Sequence, residues 1–281
     1  MQVVHTRADL ADRLAGTERE RRAVVMTMGA LHEGHLSLVR RARAEVGPGG
    51  LVEATIFVNP LQFGDPGDLA RYPRTLDDDL AKLASTGTDL VYAPDLTDMY
   101  PAPVTVTVDP GPLGSQLEGA LRPGHFAGML TVVAKLLIRT GVGVAVFGAK
   151  DYQQLVLIRS MVTDLDLAVG IVGAPIVRDP DGLAMSSRNR FLDPGQRARA
   201  LGLSRALTAA QTSAAAGATA GGVLRAAGDV LATHDVDVDY LELRDPDLRA
   251  SPAPVHGDAR LLLAATFGST RLIDNAPIRF V

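Results

Sequence analysis

Strand, turn and helix patterns follow one another in the same order at residues 23–36, 52–62 and 144–154. Each opens on a short apolar run: Val24-Val25-Met26, then Val52 to Val58, then Val144-Ala145-Val146-Phe147. Each run breaks at glycine or proline before the next pattern begins. Near-continuous apolar runs suit strands buried on both faces, and such strands alternating with helices imply a doubly wound parallel sheet. Open sheets of this kind bind ligands beyond the carboxyl ends of their strands. The turns at 27–35, 59–62 and 148–154 are therefore the places to look for chemistry.

The first turn is the richest. Met28-Gly29-Ala30-Leu31-His32-Glu33-Gly34-His35 leads into an amphipathic helix carrying Leu36, Leu38, Val39 and Ala42. His32 and His35 stand three apart, so both imidazoles lie on one side of the helix entrance. The first turn of a helix has unpaired N–H groups and the positive end of its dipole, and Gly29 and Gly34 allow close approach to the backbone. Imidazoles there can donate hydrogen bonds to charge developing on a phosphate. Taken alone, the pair fits equally a phosphate site, two surface histidines or a metal-binding pair.

The other turns carry complementary groups. Asn59-Pro60-Leu61-Gln62 follows the second strand, where proline prevents simple continuation. Gly148-Ala149-Lys150-Asp151 opens a further helix, and a lysine whose charge opposes the dipole there points to a phosphate contact over a merely solvated side chain. Met185-Ser186-Ser187-Arg188-Asn189-Arg190 offers hydroxyls and guanidinium groups suited to a polyphosphate. Asp77-Asp78-Asp79, behind a Thr75 N-cap, read as first-turn acids favoured by the dipole by ~0.3–1 kcal/mol each, in preference to a magnesium site. Leu117 to Phe126, with Glu118, Arg122 and His125, reads as a glycine-bearing loop shaping a pocket floor. No Gly-x-Gly-x-x-Gly follows the first strand and no Gly-x-x-x-x-Gly-Lys-Ser/Thr occurs, so dinucleotide and Walker-type readings lose their weight.

Beyond about residue 177 the pattern changes. Asp193-Pro194-Gly195-Gln196 begins a helix with an N-cap, an N1 proline and a Gln at N3. An Ala- and Gly-rich pair of helices follows, broken near residues 217–219, and then alternating runs at 240–244 and 270–274 around an apolar 261–265. This is the grammar of a smaller α+β unit with an antiparallel sheet. Two domains are expected, residues 1–176 and 177–281. The segment Val104 to Val108 alternates Val with Thr and reads as an extended strand able to pair with its copy in a second chain.

A net charge of −4 with scattered arginines leaves no electrostatic footprint for nucleic acid. No apolar run approaches the ~18 residues of a membrane span. The absence of cysteine excludes disulfides and fits a reducing compartment. Together with an N-terminus that lacks the layout of a signal peptide, this makes a cytoplasmic protein the expectation.

Five blocks in order, Met28–His35, Phe57–Phe63, Arg122–Phe126, Phe147–Gln154 and Met185–Asn189, resemble the pantoate–β-alanine ligase family of the His-x-Gly-His nucleotidyltransferase superfamily. The resemblance extends to the closing Arg271-Leu272-Ile273-Asp274-Asn275. It implies a Rossmann-like ATP- and pantoate-binding domain and a smaller lid domain. It also implies condensation of pantoate with β-alanine through an acyl adenylate, ATP with Mg2+ as cosubstrate, and a homodimer. Carried over by position, Met28, Gly29, Ala30, Leu31, His32, Glu33, Gly34 and His35 would line the ATP site, with His35 as acid and His32 as phosphate donor. Gly148, Ala149, Lys150, Asp151, Val177, Met185, Ser186, Ser187 and Arg188 would also meet ATP, with Lys150, Ser186, Ser187 and Arg188 on its phosphates. Gln62 and Gln154 would bind pantoate, Gln62 also bordering the β-alanine site; an amide suits an acid that carries both a carboxylate and hydroxyls. Met26 stands where the family usually has proline, and Ala149 where it has glutamate. These departures are expected to alter rate or substrate preference and to leave the reaction intact.

Overall fold

The computed structural model describes residues 1–249 and 257–280. Six strands, β1 (Gln2–Val4), β2 (Arg22–Thr27), β3 (Leu51–Ile56), β4 (Leu90–Tyr92), β5 (Val144–Gly148) and β6 (Gly170–Ala174), form one parallel sheet in the order β1-β4-β3-β2-β5-β6. Residues that alternate between the two faces of β2, Ala23, Val24 and Val25, are all fully buried, as a sheet covered on both sides requires. Leu38, Val39 and Ala42 of the helix Glu33–Val46 pack into this core. The sheet order runs outward from β2 through β3 on one side and through β5 on the other. The carboxyl ends of β2 and β5 therefore mark a topological switch point, where sheets of this type open a crevice.

Three further strands, β7 (Asp237–Arg244), β8 (Gly257–Phe267) and β9 (Thr270–Phe280), form an antiparallel sheet in that order. The helices Pro194–Ala215 and Ala220–Thr233 share a core with it through Leu203, Leu207, Val223 and Leu231 against Leu261, Leu263 and Phe267. The first of these helices starts with the expected reciprocal cap: Asp193 accepts from the Gln196 N–H at 2.8 Å, and the Gln196 side chain accepts from the Asp193 N–H at 3.1 Å. The chain thus has the parallel α/β sheet and the smaller antiparallel unit that its patterning implies. Its two compact units comprise residues 1–149 with 154–175, and residues 150–153 with 176–281. Among the described residues no helix is long and apolar enough to cross a membrane.

Two local expectations take a particular form in this chain. Val104–Val108 joins neither sheet. Within the single chain Val108 gives its N–H to the Thr131 hydroxyl at 3.0 Å, and pairing of this segment with its copy in a second chain stays a proposal. Thr75 occupies the N-cap position of the helix Leu76–Ala84, but its hydroxyl makes no capping bond; it donates to Asp79 Oδ2 at 3.1 Å.

Candidate active site

The loop after β2 is shaped by backbone conformation and by one carboxylate. Gly29 and Ala30 both take positive φ, 82° and 52°. A side chain at Gly29 would bring its Cβ to 3.0 Å from Asp79 Oδ2, so the position needs glycine on both counts. Asp79, fully buried, receives the Ala30 N–H on Oδ2 at 2.9 Å and the Leu31 N–H on Oδ1 at 2.7 Å. Lys82, one turn along the same helix, donates to the Leu31 carbonyl at 2.9 Å. Asp79 is therefore more than a dipole acid. It fastens the loop, a role invisible in the sequence because the partners lie 48 and 49 positions away.

The helix that follows is capped by imidazoles. His32 is its N-cap and accepts the Gly34 N–H on Nδ1 at 3.1 Å; His35 accepts the His32 N–H on its own Nδ1 at 3.3 Å. The ring centroids are 4.1 Å apart, tilted by 43°. A nitrogen that accepts an N–H carries no proton, so the hydrogen of each neutral ring sits on Nε2. The two rings therefore present Nε2–H groups as donors.

The backbone donors of the loop are largely committed within the chain. The N–H groups of Gly29, Ala30, Leu31, His32, Gly34, His35 and Leu36 each serve an acceptor within the chain. The expectation of unpaired amides at the helix entrance thus does not hold for these seven. Glu33 pairs with Arg40 on the exposed face of the helix, and hydrogen bonding to that guanidinium holds its carboxyl below the usual range.

Beside this loop lies the turn after β3. Gln62 is buried and directs Nε2 to Met28 Sδ at 3.2 Å, while its Oε1 accepts from Asn59 Nδ2 at 3.1 Å. Asn59 in turn donates to the Gly128 carbonyl and accepts from the Tyr100 hydroxyl at 2.9 Å. The helix His125–Thr140 approaches so closely that a Cβ on Gly128 would fall 2.2 Å from the Leu61 carbonyl oxygen. Arg122 can only donate, so its 3.2 Å bond makes His125 Nε2 the acceptor, and Nδ1–H donates to the Gln62 carbonyl at 2.9 Å. Arg122 and His125, whose partners the sequence did not reveal, thus fix the main chain at Gln62.

On the other side of β2, the turn after β5 begins at Gly148 and Ala149, whose N–H extends the ladder to the Ala174 carbonyl at 2.8 Å. Half-buried Gln154 lies in the first turn of the helix Tyr152–Asp164. The carboxyl ends of β3, β2 and β5 are neighbours in the sheet, and so Gln62, the histidine loop and Gln154 follow adjacent strands.

The remaining expected residues belong to the second unit. Lys150, half-buried, has its carbonyl held by Asn275 Nδ2 at 2.8 Å; Asp151 is exposed. Tyr152 carries the Arg260 guanidinium at 3.9 Å from its ring centroid and donates its hydroxyl to the Pro246 carbonyl. Val177 accepts the Met185 N–H at 2.9 Å, closing a hairpin whose strands bridge at Arg178 and Ala184. Ser186 caps the single helical turn Ser187–Phe191 by accepting the Arg188 N–H at 3.2 Å. Asn189 joins this turn to the hairpin through the Ala184 carbonyl at 3.0 Å and Asp179 at 3.3 Å. Ser187 is half-buried and Arg188 exposed.

A parallel sheet with paired imidazoles at its switch point defines a protein of the doubly wound α/β class. The family model described as pantoate-beta-alanine ligase matches residues 2–277, and the chain belongs to that family. Pantothenate synthetase of Nocardioides sp. (strain ATCC BAA-499 / JS614) is 55% identical over 98% of this chain and 85% of its own length. That of Mycolicibacterium smegmatis is 54% identical over 99% of this chain and 88% of its own. Among solved structures, pantothenate synthetase from Thermus thermophilus superposes with a TM-score of 0.90 at 46% identity, covering 98% of this chain and 99% of that one. The pantoate-beta-alanine ligase of Francisella tularensis, complexed with beta-gamma ATP and beta-alanine, superposes with a TM-score of 0.79 at 32% identity, covering 98% and 97%. The protein is accordingly an enzyme, a ligase of this family.

Proposed function

We propose that the enzyme joins pantoate to β-alanine in two steps at the expense of ATP. A pantoate carboxylate oxygen attacks the α-phosphorus, the bond to the β-phosphate oxygen breaks, and pyrophosphate leaves. The β-alanine amine then attacks the acyl carbon of the pantoyl adenylate, the C–N bond forms, AMP departs and the amine loses a proton. Both steps move negative charge onto oxygens, so positioned donors supply much of the catalysis.

The observation that carries this reading is the locked pair of imidazoles, with Nδ1 of each bound to backbone N–H and Nε2–H as the donor. We assign both His32 and His35 to hydrogen-bond donation toward phosphate oxygens. Acting as a full acid, His35 would need a proton on Nδ1, the atom that accepts the cap N–H. The family resemblance assigns Lys150, Ser186, Ser187 and Arg188 to phosphates of ATP, and Met28, Gly29, Ala30, Leu31, Glu33, Gly34, Gly148, Ala149, Asp151, Val177 and Met185 to other contacts with the nucleotide. Gln62 and Gln154 are assigned to pantoate. Mg2+ enters as part of MgATP. Among the described residues no group of three or more His, Asp or Glu stands together to hold a metal, and Asp79 is already engaged with the loop; phosphate oxygens and water suit this ion. A homodimer working in the cytoplasm is part of the same proposal.

Mass spectrometry of the products tests it. With pantoate and MgATP alone, the protein should accumulate pantoyl adenylate and pyrophosphate; adding β-alanine should convert the adenylate to pantothenate and AMP. Release of ADP, or formation of amide without an adenylate, contradicts the mechanism.

A further inference from the structure

Within the second unit, two consecutive residues of β9 hold both segments assigned to the phosphates. Asp274 is buried and receives Arg178 through two bonds, Nη1 at 2.6 Å and Nη2 at 3.0 Å, as well as the Asn275 N–H at 2.8 Å. Arg178 Nη1 also donates to the Gly182 carbonyl at 3.1 Å, so the ion pair fixes the hairpin that runs directly into Met185–Arg188. Asn275, also buried, donates through Nδ2 to the Lys150 carbonyl and accepts on Oδ1 from Arg260 Nε at 2.9 Å. Arg260 stacks on Tyr152, two residues beyond the lysine, and the Tyr152 hydroxyl reaches Pro246. The Lys150 turn is therefore tied by its main chain, its neighbouring ring and an amide to the strand that also anchors the serine hairpin.

A planar bidentate pair and a buried amide with both ends bonded resist rotation more than single bonds do. A strand is also a stiffer mount than a loop. The side chains of Asp274 and Asn275 make no direct phosphate contact in this scheme. Their effect reaches the ligand through the groups they hold.

We infer that Asp274 and Asn275 are positioning residues that set the spacing between Lys150 and the Ser186–Arg188 turn, and so the enzyme's grip on the triphosphate. The inference rests on the adenylating function proposed above. It predicts a change confined to the nucleotide: displaced phosphate donors weaken ATP binding and adenylation, whereas pantoate and β-alanine have other partners.

Steady-state kinetics of the full-length enzyme test this with Asn275→Ala and, as a milder change at the partly exposed end of the ion pair, Arg178→Lys. Each should raise the KM for ATP by about tenfold, in line with the sensitivity of positioned groups to small displacements, with the KM values for pantoate and β-alanine unchanged. A residue needed only for folding would instead lower the active fraction, reducing kcat with all three KM values intact. In a Lys150→Ala background, Asn275→Ala should raise the KM for ATP by less than about twofold, since groups acting as a unit are not additive. An active wild-type enzyme whose KM for ATP stays put in both Asn275→Ala and Arg178→Lys overturns the inference. A wild-type enzyme that forms no adenylate overturns the proposed function instead.

Discussion

The histidine loop and the serine–arginine turn are both assigned to phosphate, yet they are built in opposite ways. The histidine loop has seven of its amides committed between Gly29 and Leu36, two successive residues at positive φ, and a buried carboxylate from another helix holding two of its N–H groups. The serine turn has one capping bond, a tether through Asn189 and an exposed Arg188. A donor fixed before the reaction needs no reorganisation as charge develops, and its effect falls on the transition state. A long exposed arginine can follow its ligand and contributes mainly by binding it. The contrast predicts that damage to the first region lowers kcat and damage to the second raises the KM for ATP.

The largest effect should come from His35→Ala. Losing one fixed donor is expected to lower the rate of ATP–pyrophosphate exchange by about 10²–10³-fold. Loss of the reciprocal cap should also cost roughly 0.5–2 kcal/mol of stability, measured by denaturant unfolding. A rise in the KM for ATP at unchanged kcat would erase the distinction between the regions. Next, Asp79→Asn replaces an acceptor of two N–H groups by an amide that cannot serve both. An unsatisfied buried donor costs about 1–3 kcal/mol, and kcat should fall by about tenfold as the loop loosens. Wild-type kcat in this variant would show that the clamp is dispensable.

Arg188→Ala sharpens the other side of the comparison. It should raise the KM for ATP by about tenfold, the worth of a charge-assisted bond at the low end of its range, with kcat held within about threefold. A collapse of kcat alone would place Arg188 with the preorganised donors.

The first unit should also respond to pH. Glu53 on β3 is fully buried, its carboxylate oxygens have no hydrogen-bond partner, and burial pushes its pKa from 4.5 up to about 8. The folded state therefore keeps the proton that the unfolded chain releases, and stability should fall as pH rises from 4.5 toward 8. Thermal unfolding across that window should show the fall in the wild type, and Glu53→Gln should flatten it. An unchanged slope in the variant would assign the effect elsewhere. The smallest effect is expected of Ala149→Glu, which restores the residue usual in the family. Ala149 is half-buried and assigned to a contact with the nucleotide but to none of the phosphate donors. Its kcat/KM should therefore move by less than about threefold, and a larger change would give the position a direct part in the reaction.

The fold was readable because its signals are local. Continuous apolar runs at β2 and β5, alternation in β7 and β9, and the Asp193–Gln196 cap each lie within a few residues of one another. The site was readable only as residue types at the ends of strands, with the family resemblance supplying the roles. Asp79 passed for an ordinary first-turn acid because nothing nearby in the chain announces the two amides it holds. The use of Nδ1 by the backbone could not be read from a His-x-x-His spacing, since ring orientation decides it. Asp274 and Asn275 sat within a motif of the resemblance without a role, for their partners lie 96 and 125 positions away.

The central claim is that His32 and His35 act as neutral donors through Nε2–H, with Nδ1 held by the helix cap. Long-range ¹H–¹⁵N correlation spectra of the histidine-labelled enzyme, with and without a non-hydrolysable ATP analogue, measure this directly. The account predicts two neutral rings protonated at Nε2 in both states, with the analogue shifting the Nε2 resonances. Protonation of Nδ1 on either ring, as the other neutral tautomer or as imidazolium, would contradict it.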